Sequence, residues 1–109
     1  LMPEMARIAT EMVHNVLVAF VERDAEAAVR VIEGDRAVDD FYNSIFRTLL
    51  TFMMEKPQNI SQSTHLLFVA KNIERVGDHA TNIAEMVYYA ATGNYYGGRI
   101  KGPDPLEQD

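Results

Sequence analysis

Apolar residues recur at steps of three and four along most of the chain, and they fall into three separate stripes. Met5, Ile8, Met12, Val16, Ala19 and Phe20 form the first and predict an amphipathic helix from Pro3 to Glu22. Pro3 suits its first turn, where the missing N–H removes no hydrogen bond. Asp24 then reads as the N-cap of a second helix from Ala25 to Glu55, with Glu26 near the positive end of the dipole. Its stripe is Ala28, Val31, Asp35, Val38, Asp39, Tyr42, Ile45, Phe46, Leu49 and Met53. Two aspartates interrupt this row. Asp35 beside Gly34 in mid-helix costs on the order of 1–2 kcal/mol relative to alanine. A kink at Gly34-Asp35, with Asp35 as an ordinary N-cap, is the alternative reading.

Pro57 ends the second helix, because it cannot donate and it restricts the residue before it. Asn59-Ile60-Ser61-Gln62 resembles a capping box with Asn59 as N-cap. The third helix is predicted over residues 60–92, with Ala70, Ile73, Gly77, Ala84 and Tyr88 on its apolar face and Gly93 as C′ residue. Short turns make the three helices run up, down and up. The expected fold is therefore all-α, an antiparallel three-helix bundle over residues 1–93. No strand pattern competes, and no internal repeat is present. The tail, residues 94–109, carries Gly97, Gly98, Gly102, Pro103 and Pro105 and is expected to be flexible, with Tyr95 and Tyr96 able to dock on the bundle or on a partner.

Composition narrows the function classes. At 109 residues, 48% hydrophobic and 24% charged, the chain is an ordinary globular domain able to bury a core. It has no cysteine, which excludes disulfides, thiolate metal sites and cysteine nucleophiles. Its net charge of -6 argues against nucleic acid as a main partner. No signal-peptide pattern opens it, and no apolar run is long enough to span a membrane. Leu1 in first position predicts a piece of a longer chain.

The acids supply the candidate chemistry. On a helical wheel Glu74, Asp78, Asn82 and Glu85 fall within roughly 80° of one another, on the shoulder of the apolar face. Asp35-x-x-x-Asp39 and Glu74-x-x-x-Asp78 each put two carboxylates on one helix face. Neighbouring antiparallel helices can bring the two pairs together as an all-oxygen site for Mg²⁺, Ca²⁺, Mn²⁺ or iron. The bland reading is that Lys71, Arg75, Arg36 and Arg47 neutralise these acids along their own helices. Glu11 and His14 make a Glu-x-x-His pair of the kind used in di-iron bundles, but His14 lies about 180° from Met5, on the solvated face. His79, about 100° from Asp78, reads as a surface residue. Ser61 and Ser63 begin a helix, where capping explains them, and no phosphate-binding glycine loop or His-Glu-x-x-His pair is present.

The stretch Asn72-Ile73-Glu74-Arg75-Val76-Gly77-Asp78-His79-Ala80-Thr81-Asn82-Ile83-Ala84-Glu85 resembles the PhoU family, regulators of phosphate signalling linked to the high-affinity phosphate transporter. Ala19-Phe20 through Asp24, the Asp35-x-x-x-Asp39 pair, Tyr42 and Met53-Met54-Glu55-Lys56-Pro57 are similar as well, so the resemblance covers residues 5–93. Val76 stands where many relatives have isoleucine. The family is built from two similar three-helix repeats, and the likeness here is to the second. It implies a cytoplasmic, dimeric, non-enzymatic adaptor that restrains the phosphate-starvation response, acting between the transporter's ATPase subunit and the sensor histidine kinase. It also implies a cation (Mg, Mn, Fe or Zn) on the acidic motifs, hence on Asp35, Asp39, Glu74 and Asp78. Two other readings stay open: a metal-dependent hydrolase or oxidase using the same carboxylates, and a plain helical dimerisation module with solvated acids.

Overall fold

The computed structural model describes residues 1–98. Three helices account for nearly all of them: α1 (Met2–Glu22), α2 (Ala25–Glu55) and α3 (Asn59–Thr92), followed by one 3₁₀ turn at Tyr96–Gly98. The first corner is tight. Arg23 adopts the left-handed conformation (φ 53°), and Asp24 caps α2 by accepting hydrogen bonds from the backbone N–H groups of Glu26 and Ala27 at 3.0 and 3.3 Å. That is the cap expected from the sequence.

α2 runs unbroken through Gly34-Asp35, so the kink is not formed and Asp35 lies in mid-helix, buried. The physical reason is a neighbour. A Cβ on Gly34 would stand 3.3 Å from Cγ of Met12, so the glycine lets α1 lie close against α2 at this level. At Gly77 of α3 the fit is less tight, since a Cβ there would meet Val38 Cγ1 at 3.4 Å, an ordinary van der Waals contact. The helix-propensity cost of Gly34 is offset by the close approach of α1.

The second corner differs from expectation in one respect. Lys56 is extended (φ -146°, ψ 132°), as a residue before proline must be. Asn59, however, is not the N-cap of α3. Gln58 holds that position without a side-chain bond, and Asn59 Nδ2 instead donates to the backbone oxygen of Phe52 at 2.9 Å. Phe52 is among the last four residues of α2, whose carbonyls have no intrahelical partner. The asparagine therefore closes the end of one helix while standing in the first turn of the next. α3 ends as predicted, with Gly93 at φ 77° and its N–H donating to Tyr89 O at 2.7 Å. Beyond it Tyr95 stacks on Tyr89 (centroids 4.5 Å apart) and Tyr96 meets Tyr88 edge-on at 5.4 Å. The remainder of the predicted tail, residues 99–109, lies outside the described residues.

Each pair of helices packs together, α1 and α3 parallel, α2 antiparallel to both. The core is made of Met5, Met12, Val16 and Ala19 from α1, Ala27, Ala28, Val31, Val38, Ile45 and Leu49 from α2, and Ala70, Ala80, Ala84 and Val87 from α3. Met12 faces both Gly34 and Gly77. Counting 1.5 Å per residue from that level, the start of α1 stands opposite the region of Ser44 and Leu67. α2 and α3 continue past it as a two-helix overhang, where Leu49 and Ser63 are buried while Phe46, Leu50, Phe52, Met54, Ile60 and Leu66 remain exposed. Phe20, placed on the core stripe of the first helix by its spacing, is 66% exposed, because no helix covers that side of α1 near its end. Among the described residues no helix is long and apolar enough to cross a membrane.

Candidate metal centre

The acids of α2 and α3 meet where the two helices cross in the middle of the bundle. Asp35 and Asp39, one turn apart, share a face of α2. Asp78 of α3 comes against them, directly after Gly77, which faces Val38 of α2. The nearest carboxylate oxygens of Asp35, Asp39 and Asp78 all lie within 4.8 Å of one another. Asp35 is only 9% exposed, and the other two are half-buried.

Ionised carboxylates this close repel one another. Two unit charges at that separation repel by roughly 3 kcal/mol at an effective dielectric constant of about 20. A cation bound among them would remove the repulsion. The donor set is all oxygen, which suits hard divalent cations and iron. The residues present therefore fit such an ion, and Asp35, Asp39 and Asp78 are the side chains that would hold it, linking α2 to α3.

Glu74, the fourth acid expected here, is placed differently. Its Oε1 accepts a hydrogen bond from Lys71 Nζ at 2.8 Å on the same helix, and Glu74 is not one of the three converging groups. The neutralising pair considered for the sequence is thus present for Glu74. Glu85, on the same face two turns beyond Asp78, is buried (7% exposed) but also outside the cluster, and Asn82 is exposed. Glu11 and His14 are both exposed, and Glu11 pairs with Arg7 at 2.8 Å, as the solvated-face reading requires. His79 is likewise at the surface.

Comparison with known proteins adds an independent line. The PhoU domain family model matches residues 2–87. The phosphate-specific transport system accessory protein PhoU homolog of Zymomonas mobilis is 53% identical over 108 residues, which is 99% of this chain and 46% of that protein. The homolog of Rhizobium meliloti is 54% identical over 89 residues (82% of this chain, 38% of the relative). The accessory protein PhoU of Escherichia coli K12 is 38% identical over 104 residues (95% and 42%). The chain spans less than half the length of each of these relatives, consistent with a single three-helix repeat.

Proposed function

Because this chain belongs to the PhoU domain family, we propose that it is a module of a phosphate-transport accessory protein whose α2–α3 acids hold a divalent or iron cation. The observation that carries the cation is the convergence of Asp35, Asp39 and Asp78 within 4.8 Å in a half-buried crossing. The family's acidic motifs would extend the site to Glu74, one turn from Asp78, once Lys71 released it. Bound there, the ion neutralises the cluster and ties two helices together. Its role is to set the shape of the bundle surface; no carboxylate is given a catalytic step.

The names of the relatives, accessory proteins of phosphate-specific transport, support a regulatory role. In this reading the module works in the cytoplasm as an adaptor. It restrains the phosphate-starvation response by linking the transporter's ATPase subunit to the sensor histidine kinase, and it pairs as a homodimer. Surface apolar groups support a docking role: Leu17, Phe20 and Val21 on α1, and Val76, Ile83 and Met86 on α3, are exposed. The accessory-protein names of the relatives favour this adaptor over a hydrolase or oxidase.

Thermal melts test the cation. Added Mg²⁺, Mn²⁺, Fe²⁺ or Zn²⁺ should raise the melting temperature of the parent, by about 2.7 kcal/mol of stability at a hundredfold excess over Kd. An Asp39→Ala/Asp78→Ala variant should not respond. Equal responses in the two proteins overturn the metal assignment.

A further inference from the structure

The groove between α2 and α3 continues past the acids, and one turn on its chemistry reverses. Tyr42, Leu67, Phe68, Lys71, Asn72 and Arg75 line an open cavity of about 320 Å³, together with Thr64. No carboxylate is in its wall. The volume is that of a site for a small organic molecule rather than a single ion. Its polar groups are donors: the Lys71 ammonium, the Arg75 guanidinium, the Asn72 amide and the Tyr42 hydroxyl. Thr64 contributes little as a donor, because its hydroxyl already bonds to Ile60 O at 2.7 Å.

The two cations are held differently. Lys71 is bonded to Glu74 at 2.8 Å and stands 5.3 Å from the centroid of the Tyr42 ring, which fixes its position at the wall. Arg75 is exposed and forms no ion pair among the described residues. Its planar fork matches an oxyanion in bidentate fashion. The chain as a whole carries a net charge of -6, so this pair of cations is a local feature against an acidic background.

We propose that this cavity binds a small organic oxyanion: a phosphoester or carboxylate head on Arg75, Asn72 and Lys71, with an apolar body against Leu67, Phe68 and the Tyr42 ring. The acids set its affinity. Asp39 lies three residues before Tyr42 and Asp78 three residues after Arg75, so cluster and cavity occupy adjacent turns of one groove, about 5 Å apart along the axis. The negative charge of the carboxylates repels an incoming anion; with a divalent cation among them the repulsion falls, and oxyanion binding strengthens. This coupling rests on the cation reading of the acids given above. The cavity's own affinity for the oxyanion does not.

Phenyl phosphate and phenylacetate, titrated at low salt into the ¹⁵N-labelled chain with and without Mg²⁺, test both parts. Amide shifts should gather at Tyr42 and residues 64–75, and Arg75→Gln, a surface change that leaves helicity intact, should weaken binding at least tenfold. Tighter binding of phenyl phosphate assigns the phosphoester class, and tighter binding of phenylacetate the carboxylate class. Failure of both ligands to bind, shifts elsewhere, or an unchanged affinity in Arg75→Gln overturns the proposal. Mg²⁺ should tighten phenyl phosphate at least threefold in the parent, whereas Asp39→Asn/Asp78→Asn should bind it more tightly than the parent without Mg²⁺ and ignore added Mg²⁺. A parent indifferent to Mg²⁺ but sensitive to Arg75→Gln keeps the cavity and overturns its coupling to a cation.

Discussion

The two ends of the α2–α3 pair carry the same kind of apolar stripe but have different fates. From Ala27 to Ile45 on α2, and from Ala70 to Val87 on α3, the stripe is covered by α1 and packed into the core. Beyond the start of α1 the stripe's Leu49 is still buried, but its Phe46 and the flanking Leu50 and Leu66 stay exposed. Periodicity tells which face of a helix is apolar; burial also needs a third element at that level. The covered part is built from small residues and glycines that let three backbones converge, and the acid cluster sits inside it. The overhang carries large apolar residues that two helices alone enclose only in part: Leu49 is buried, whereas Phe46, Leu50, Phe52 and Met54 are not.

The largest expected effect tests the covered part. Met12 is 2% exposed and packs where α1 meets Gly34 and Gly77. Met12→Ala removes its contacts with both neighbouring helices and leaves a cavity, so it should cost about 3 kcal/mol in denaturant unfolding. A loss below about 1 kcal/mol would show that the three helices collapse around the gap, and the contrast between covered and uncovered regions would weaken.

A middling effect belongs to the turn at the tip of the overhang. Asn59→Ala deletes the bond from Nδ2 to Phe52 O, leaving a carbonyl at the end of α2 for water to satisfy. The expected loss is about 1 kcal/mol. Asn59→Ser, the better N-cap replacement if the residue started α3, should be no better than alanine. Rescue by serine would restore the capping-box reading of this corner.

These cases also show what the sequence made legible. Helix ends at Asp24, Lys56-Pro57 and Gly93 are local decisions, each made by one residue's own backbone chemistry, and they could be read directly. The bundle followed from three stripes and two short turns. Asn59 could not be read, because an asparagine beside a helix start can serve either helix, and the choice depends on a carbonyl seven residues back. At the acids, spacing showed that Asp35 and Asp39 share a face; which acids of α3 meet them depends on helix register. Register brings Asp78 to the cluster, while Lys71 engages Glu74 locally. The cationic cavity is not legible from spacing, because Lys71 and Arg75 stand three residues from Glu74 and Asp78 on their own helix, and the wall they share with Tyr42 depends on helix register.

The smallest expected effect makes the comparison sharpest, because it changes the same kind of side chain as the largest. Met54 lies near the end of α2 in the overhang and is 79% exposed, with little packing to lose. Met54→Ala keeps a strong helix former in place and creates no cavity, so its cost should stay within about 0.5 kcal/mol. Met12→Ala and Met54→Ala thus delete identical atoms, and the difference between them reports the packing of Met12 on α1 against α2 and α3. If Met54→Ala instead costs as much as Met12→Ala, the overhang is covered in solution, by a second copy of the chain. Its melting temperature would then depend on protein concentration, and that dependence should vanish in the Met54→Ala protein.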